Sequence, residues 1–373
     1  MSDVHVFDHF QRSRNGGNSL PVSVVTAIDP VLRDSLVASL LLDVEGAVEL
    51  RYEVTADSSA LRRLLLSVDG VLEDDAVTLD HPCVSCAMRE DAVPTLDRLA
   101  HDPRIAAVLL APPISADPSV VAGTLRPHQE TWHLASAVAV LATGAAVHDL
   151  LGADTLAERD LQWADGDARS VGEALAAQLE YSDLVVAEGG IDSAGGELLE
   201  HLRAPEQRLS EGPHDVEIGH VLGGQLDHLH ALRRRDMRYV EPYGGPTAHG
   251  TWTLDLTSAR PFHPERLLEN IEALGGGRLR ARGRFWVPDR PDSICQWDGA
   301  GGQVSIGAVW KAGLDLPTTR LVVTGVDPAD GPRVRDAFGR SLLTSREWAA
   351  GLSPWLGAED HLAPWLGARD ATV

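Results

Sequence analysis

The chain has 373 residues, 44% hydrophobic and 23% charged, with 55 acidic against 32 basic side chains for a formal charge of −23. That length supports two domains with separate cores, and the negative surface disfavours direct binding to nucleic acid. No apolar run reaches membrane-spanning length, Met1 to Asn18 has no export signal, and 3 cysteines cannot build a disulfide framework; the expectation is a cytoplasmic protein.

Residues 1–20 read as a flexible tail. From Pro21 to Arg208 the expected strands are 22–26, 48–54, 105–111, 135–141 and 183–187. Helices are expected at 31–42, 58–67, 90–101, 117–125 and 170–180. Near-continuous apolar strands separated by helices predict a doubly wound α/β domain with a mostly parallel sheet. Residues 209–248, rich in Gly, His, Arg and Pro, read as a linker with at most one short helix. An alternating strand at 251–256, a helix at 264–274, strands at 279–287, 303–310 and 320–325 and a helix at 330–342 make 249–345 a smaller α+β domain. The tail, 346–373, repeats Pro354-Trp355-Leu356-Gly357-Ala358 as Pro364-Trp365-Leu366-Gly367-Ala368. Such Trp-Leu anchors dock into a partner or, more commonly, fold back in cis.

The richest chemical signal is His81-Pro82-Cys83-Val84-Ser85-Cys86-Ala87-Met88-Arg89-Glu90-Asp91, which holds two of the three cysteines. Thiols at CxxC spacing close on one soft metal ion such as Zn2+ from a single turn. Zinc needs four ligands. His81 is a candidate third, and Cys295, His214, His220, His228, His230 or a partner are candidates for the rest. Two alternatives stay open: a redox pair, disfavoured by Pro82 and Val84-Ser85, and two reduced cysteines packed as small hydrophobes. His228-Leu229-His230 with His220 and Asp227 reads as an auxiliary metal store or as solvated histidines. Arg233-Arg234-Arg235 is too short to make a nucleic-acid patch. No GxSxG or other catalytic triad is visible, and Ser115 has no supporting context.

The quoted segments resemble the CobW-type family of P-loop GTPases. Cys83 to Arg89 followed by Asp91 sits where that family carries a GCxCC…R…D segment, with Pro82 for the glycine and Ser85 for the inner cysteine. Ala116-Asp117-Pro118 with Val121-Ala122 matches an ADP-xx-VA stretch. Arg260-Pro261-Phe262-His263-Pro264-Glu265-Arg266-Leu267 and Arg282-Gly283-Arg284-Phe285-Trp286 match the C-terminal domain. In this setting His263 is expected to serve the helix N-terminus.

The resemblance implies a P-loop sheet, GTP with Mg2+, zinc, and a client protein, but the nucleotide segments depart from it. A P-loop needs glycines whose N–H groups wrap a phosphate, a Lys and a Mg2+-binding hydroxyl. Ala27-Ile28-Asp29-Pro30-Val31-Leu32-Arg33-Asp34-Ser35 has no glycine, and only Arg33 and Ser35 remain as vestigial phosphate contacts. Leu110 to Ser115 lacks an acidic residue, and the guanine-reading position is Ala187-Glu188-Gly189-Gly190. Degenerate P-loops with a CVSC-type motif resemble the actinobacterial subgroup of ribosome-hibernation-factor-recruiting GTPases. That resemblance implies a zinc-linked adaptor, a pseudo-GTPase that brings a hibernation factor to the ribosome. The alternative is a GTP-hydrolysing metallochaperone delivering zinc to a client.

Overall fold

A computed structural model describes residues 19–54, 61–79, 83–164, 166–311, 317–355 and 357–367, with only the backbone described for 308–311. The first domain is built on an eight-stranded sheet in the order β4-β3-β2-β5-β1-β6-β7-β8. Its strands are β1 (Leu20–Thr26), β2 (Ala47–Val54), β3 (Leu61–Ser67), β4 (Gly70–Val77), β5 (Ala107–Ala111), β6 (Trp132–Ala142), β7 (Leu184–Glu188) and β8 (Arg208–Ser210). Pairing is parallel from β2 to β8, and β3 and β4 add antiparallel.

The central strands are buried on both faces, and their residues split between two cores with the period of two that the pleat imposes. Val22 and Val24 of β1 with Val108 and Leu110 of β5 meet Met88, Leu96, Val121 and Leu125 on one face. Val25 with Ala107 and Leu109 meets Leu36, Val37 and Leu40 on the other. Those last residues belong to α1 (Pro30–Asp43). The first face is covered by α2 (Val84–Ala87), a π turn (Met88–Ala92), α3 (Val93–Ala100) and α4 (Pro118–Leu125). Further along the sheet, α5 (Thr143–Leu151), α6 (Val171–Tyr181) and α7 (Ala194–Leu202) pack a third cluster around Leu150, Leu175 and Leu198.

Of the expected helix at 58–67, residues 58–60 lie outside the described residues and 61–67 are instead strand β3, paired with β2 and, through a turn at Ser67–Gly70, with β4. Asp69-Gly70 supplies the hairpin signal, with Gly70 at φ +122°. Cross-strand pairs such as Arg62–Asp74, at 2.7 Å, then outweigh the helical content of a leucine- and arginine-rich run.

Segment 209–248, expected as a linker, holds β8, α8 (Ile218–Leu222) and α9 (His228–Arg235). Val221 and Leu222 are buried in the α1 core, while Leu226 and Ala231 are buried in the opposite one. The Ser23 and Ser136 hydroxyls both donate to the Val221 carbonyl, at 2.6 and 2.8 Å.

The second domain is a five-stranded antiparallel sheet, β12-β11-β10-β13-β9. It comprises β9 (Trp252–Ser258), β10 (Leu279–Phe285), β11 (Ser293–Ala300), β12 (Gln303–Lys311) and β13 (Thr319–Gly325), with α10 (Pro264–Gly275) and α11 (Asp330–Ser341). Phe262 lies at its centre, with ring centroids 5.4 Å from Phe338 and 5.7 Å from Phe285. The β11–β12 turn has Gly301 at φ +58° and Gly302 at +73°, the left-handed pair a two-residue hairpin needs. That turn packs on α6 so closely that a Cβ at Gly172 would lie 2.8 Å from the Gly301 nitrogen.

The domains are joined by a buried charge cluster. Arg280 of β10 donates to Glu180 of α6 at 2.6 and 2.9 Å and to Asp298 at 2.5 Å. The tail folds back on the second domain through α12 (Ser345–Ala349) and α13 (Ala363–Leu366). Leu362 is buried in its core, Arg290 pairs with Asp360, and Trp355 meets His263 edge-on at 5.0 Å. Trp365, by contrast, is 51% exposed, and Leu356 and Ala368 lie outside the described residues.

Candidate functional site

Cys83 stands at the N-cap of α2 in an extended conformation, its Sγ accepting the Cys86 N–H at 3.2 Å. This is a capping geometry with sulfur in place of the usual oxygen. It puts both side chains on one turn, Cys83 partly exposed and Cys86 buried. The neighbouring Cys83 sulfur and burial push the Cys86 thiol up from its ordinary range. The Arg89 guanidinium, 3.7 Å from Cys86 Sγ, opposes this. Two soft donors with a cation beside them suit two positions of a zinc ion. His81 lies outside the described residues. Among the described residues no group of three His, Cys, Asp or Glu side chains is arranged to hold a metal.

The other sequence candidates are engaged elsewhere. Cys295 is buried in the second-domain core, where burial pushes its thiol up to about 12. The His228 Nδ1 shares a 2.6 Å hydrogen bond with the Tyr181 hydroxyl. His220 faces Glu217 and His230 faces Glu206, each at 3.3 Å. His263 makes no side-chain cap, so the expected service to the α10 N-terminus is absent. The ring packs on Trp355 instead, which leaves the helix start to Pro264.

Behind the thiol turn the helix loosens into a π turn, in which the Val93 N–H reaches the Met88 carbonyl. Pro94 follows and has no N–H to give, so the ladder is interrupted where it starts α3. Asp91, on this turn, accepts from the fully buried Tyr52 hydroxyl at 2.6 Å and from Arg63 at 2.9 Å. Burial, and next the Asp91 charge, raise the Tyr52 pKa well above its ordinary value. Arg63 also reaches Asp75 on β4, and Arg98 of α3 bonds Glu73. One carboxylate thus ties the thiol segment to the β2–β4 edge of the sheet. Sequence reading missed it; the available signal was Tyr52 itself, a large polar-tipped side chain in the strand Ala47–Val54.

At the β1–α1 junction, where the resemblance leads one to expect a P-loop, the chain caps its own helix. Asp29 caps α1, its carboxylate accepting the N–H groups of Val31 at 2.8 Å and Leu32 at 3.3 Å. Pro30 has no N–H to add. Those are the donors that a helix N-terminus would offer to an anion. Arg33 is buried, its guanidinium donating to Asp34 and to the Pro112 carbonyl at 3.1 and 3.3 Å. Asp34 also accepts from Arg51 at 3.0 Å, and Arg51 grips Glu49 at 2.7 and 2.9 Å. Burial raises the Glu49 pKa, against the opposing pull of Arg51. Ser35 is exposed on α1. In the segment Ala187–Gly190, compared above with a guanine-reading motif, Gly189 and Gly190 take φ +100° and +81°, while the Glu188 carbonyl accepts the Thr143 hydroxyl at 3.1 Å.

Two residues of the arginine triplet, Arg234 and Arg235, are structural. Arg234 donates to the carbonyls of Glu180, Tyr181 and Ser182 at the end of α6, and Arg235 pairs with Asp117 at 2.7 Å. Arg233 lies 4.2 Å over the Tyr239 ring.

Comparison with known proteins adds four findings. Residues 251–342 match the family model of the cobalamin synthesis protein cobW C-terminal domain. The chain is 27% identical over 359 residues to the zinc chaperone Rv0106 of Mycobacterium tuberculosis, covering 84% of this chain and 86% of the relative. It is 25% identical over 256 residues to zinc-regulated GTPase metalloprotein activator 1 of Dictyostelium discoideum, covering 62% of this chain and 53% of that protein. The Zn(II)-bound YjiA GTPase from E. coli aligns at 14% identity and a TM-score of 0.37, over 87% of this chain and 99% of that one. No helix among the described residues is long and apolar enough to cross a membrane.

Proposed function

We propose that this chain, which carries a CobW-type C-terminal domain, is a zinc-responsive adaptor that neither binds nor hydrolyses GTP. The observation that carries the reading is the Asp29 cap. A carboxylate of the chain takes the α1 N–H groups that would receive a phosphate, and Arg33 is spent on Asp34 and Pro112. Zinc enters through Cys83 and Cys86, with its remaining ligands supplied by His81 or a partner. The named relatives, one a zinc chaperone and one a zinc-regulated activator, support a role in metal homeostasis. On the family resemblance, the protein it recruits is a ribosome hibernation factor.

A bound ion shifts a conformational equilibrium only by its difference in affinity between the states. The thiol turn is therefore the element whose two states zinc must distinguish, and Asp91 is the contact through which the sheet edge senses it. The test is chelator competition with the full chain and a C83S/C86S variant, followed by partner binding with and without zinc. Zinc binding lost in the variant, together with zinc-independent partner binding, is the expected result. Partner binding that still follows zinc in C83S/C86S would overturn the proposal. The competing reading, a GTP-dependent metallochaperone, rests on the GTPase named among the relatives and requires nucleotide turnover.

A further inference from the structure

Helices α4 and α9 lie side by side. Arg235 donates to Asp117 and to the Ser119 hydroxyl, and the His228 ring sits 3.5 Å from where a Cβ on Gly123 would be. Ala231 and Arg234 form the buried side of α9. Its outer side presents Leu229, 63% exposed, and Leu232, three residues on and also exposed, with the half-exposed Tyr239 beside Arg233. Val120 is exposed on α4.

The charges around these side chains run against the molecule as a whole. Arg126 follows α4 and faces His228, whose pKa is held down by burial and then by that guanidinium. Arg233 rests on an aromatic ring. Among the described residues neither arginine makes a close ion pair, although the Arg233 charge adds to that of Arg238 in holding the Asp236 carboxyl low. The neighbouring carboxylates are engaged: Asp117 with Arg235, Asp236 with Arg238, Glu206 with His230, and Asp227 capping α9. A local apolar and cationic face therefore stands on a chain of formal charge −23.

We infer that the outer face of α9, with Arg126 and Arg233 at its rim, docks an acidic amphipathic helical segment of a protein partner. Leucines at i and i+3 are the spacing that meets the apolar stripe of a second helix. The rim arginines select carboxylates on its flanks. A second copy is disfavoured, since a two-fold contact would bring these arginines near their own counterparts. An anionic membrane is disfavoured by the overall charge. The thiol helix α2 packs against α4, which places this face one helix away from Cys83. The inference deepens the adaptor reading and rests on it only in expecting a protein partner.

The probe is a fluorescein-labelled Leu-stripe peptide of about 16 residues with glutamates on its polar face, compared with a lysine version of the same design. Anisotropy is read with the full chain, R126E/R233E and L229S/L232S, whose folding is checked by circular dichroism. The overall charge alone favours the lysine peptide, so the comparison discriminates. The expected result is tighter binding of the glutamate peptide, weakened about tenfold in either variant, with R126E/R233E preferring the lysine peptide. No binding of the glutamate peptide, a preference of the native chain for lysine, or equal binding by the variants would overturn the inference. Zinc is left out of these measurements, so their failure is distinct from failure of the zinc reading, which the C83S/C86S comparison tests.

Discussion

Replacing Asp91 with alanine probes how the thiol segment is held. The substitution strips the Tyr52 hydroxyl, fully buried, of its acceptor at 2.6 Å. A buried donor left unsatisfied costs about 1–3 kcal/mol. Arg63 loses its 2.9 Å contact but keeps Asp75 at 2.5 Å and Glu73 at 3.3 Å, so its share is about 1 kcal/mol or less. The expected destabilisation is about 3 kcal/mol, read from the urea midpoint at constant slope. Y52F removes the orphaned hydroxyl, so Y52F/D91A should cost less than the sum of the single variants by about 1–2 kcal/mol. Hydrogen exchange should quicken first across Val84–Ala100. The pH dependence gives a further reading. Because Tyr52 ionises far less readily when folded, its stabilisation is present below the unfolded value of 10.0 and fades as pH rises above it. The native chain should lose stability above about pH 10 more steeply than Y52F. A D91A cost below about 1 kcal/mol, or strict additivity with Y52F, would refute the reasoning.

R280M leaves Glu180 with Arg282 at 3.5 Å in place of its 2.6 Å partner, and thermal unfolding should show a loss of about 3 kcal/mol, partly recovered in R280M/E180M. Glu347, held down to about 2 chiefly by its Arg266 hydrogen bond, contributes stability above the ordinary glutamate value of 4.5 that is lost as pH falls towards about 2. Acid titration of R266M should therefore lack that component. D29A should destabilise the chain by about 1 kcal/mol, the worth of a helix cap, as read by urea unfolding. C83S keeps an oxygen at the α2 cap, so the metal-free stability of C83S/C86S should stay within about 1 kcal/mol of native in the same assay.

The parallel sheet was legible because β1, β5, β6 and β7 are almost wholly apolar, and these strands and β2 fall close to their expected ranges. The β3–β4 hairpin was hidden by Leu61-Arg62-Arg63-Leu64-Leu65-Leu66, whose composition suits a helix until cross-strand ion pairs are known. Helix α5, starting at Thr143 directly after the long β6, has Ala142 at its N-cap and so no capping side chain to mark it. The thiol pair and the glycine-free α1 junction were visible as motifs. What they touch was not: the Asp91–Tyr52 bond spans 39 residues, and the Arg280–Glu180 bond spans 100. Charged residues inside strands, Glu49, Arg51, Arg280 and Arg282, were the signal that such buried networks existed.

The central claim is that the α1 N-terminus is already satisfied by Asp29. Calorimetric titration of the metal-free full chain with GTP and Mg2+, repeated with zinc present, tests it most directly. The account predicts no binding heat in either state. Saturable binding of micromolar strength would contradict it and return the GTP-dependent metallochaperone to first place.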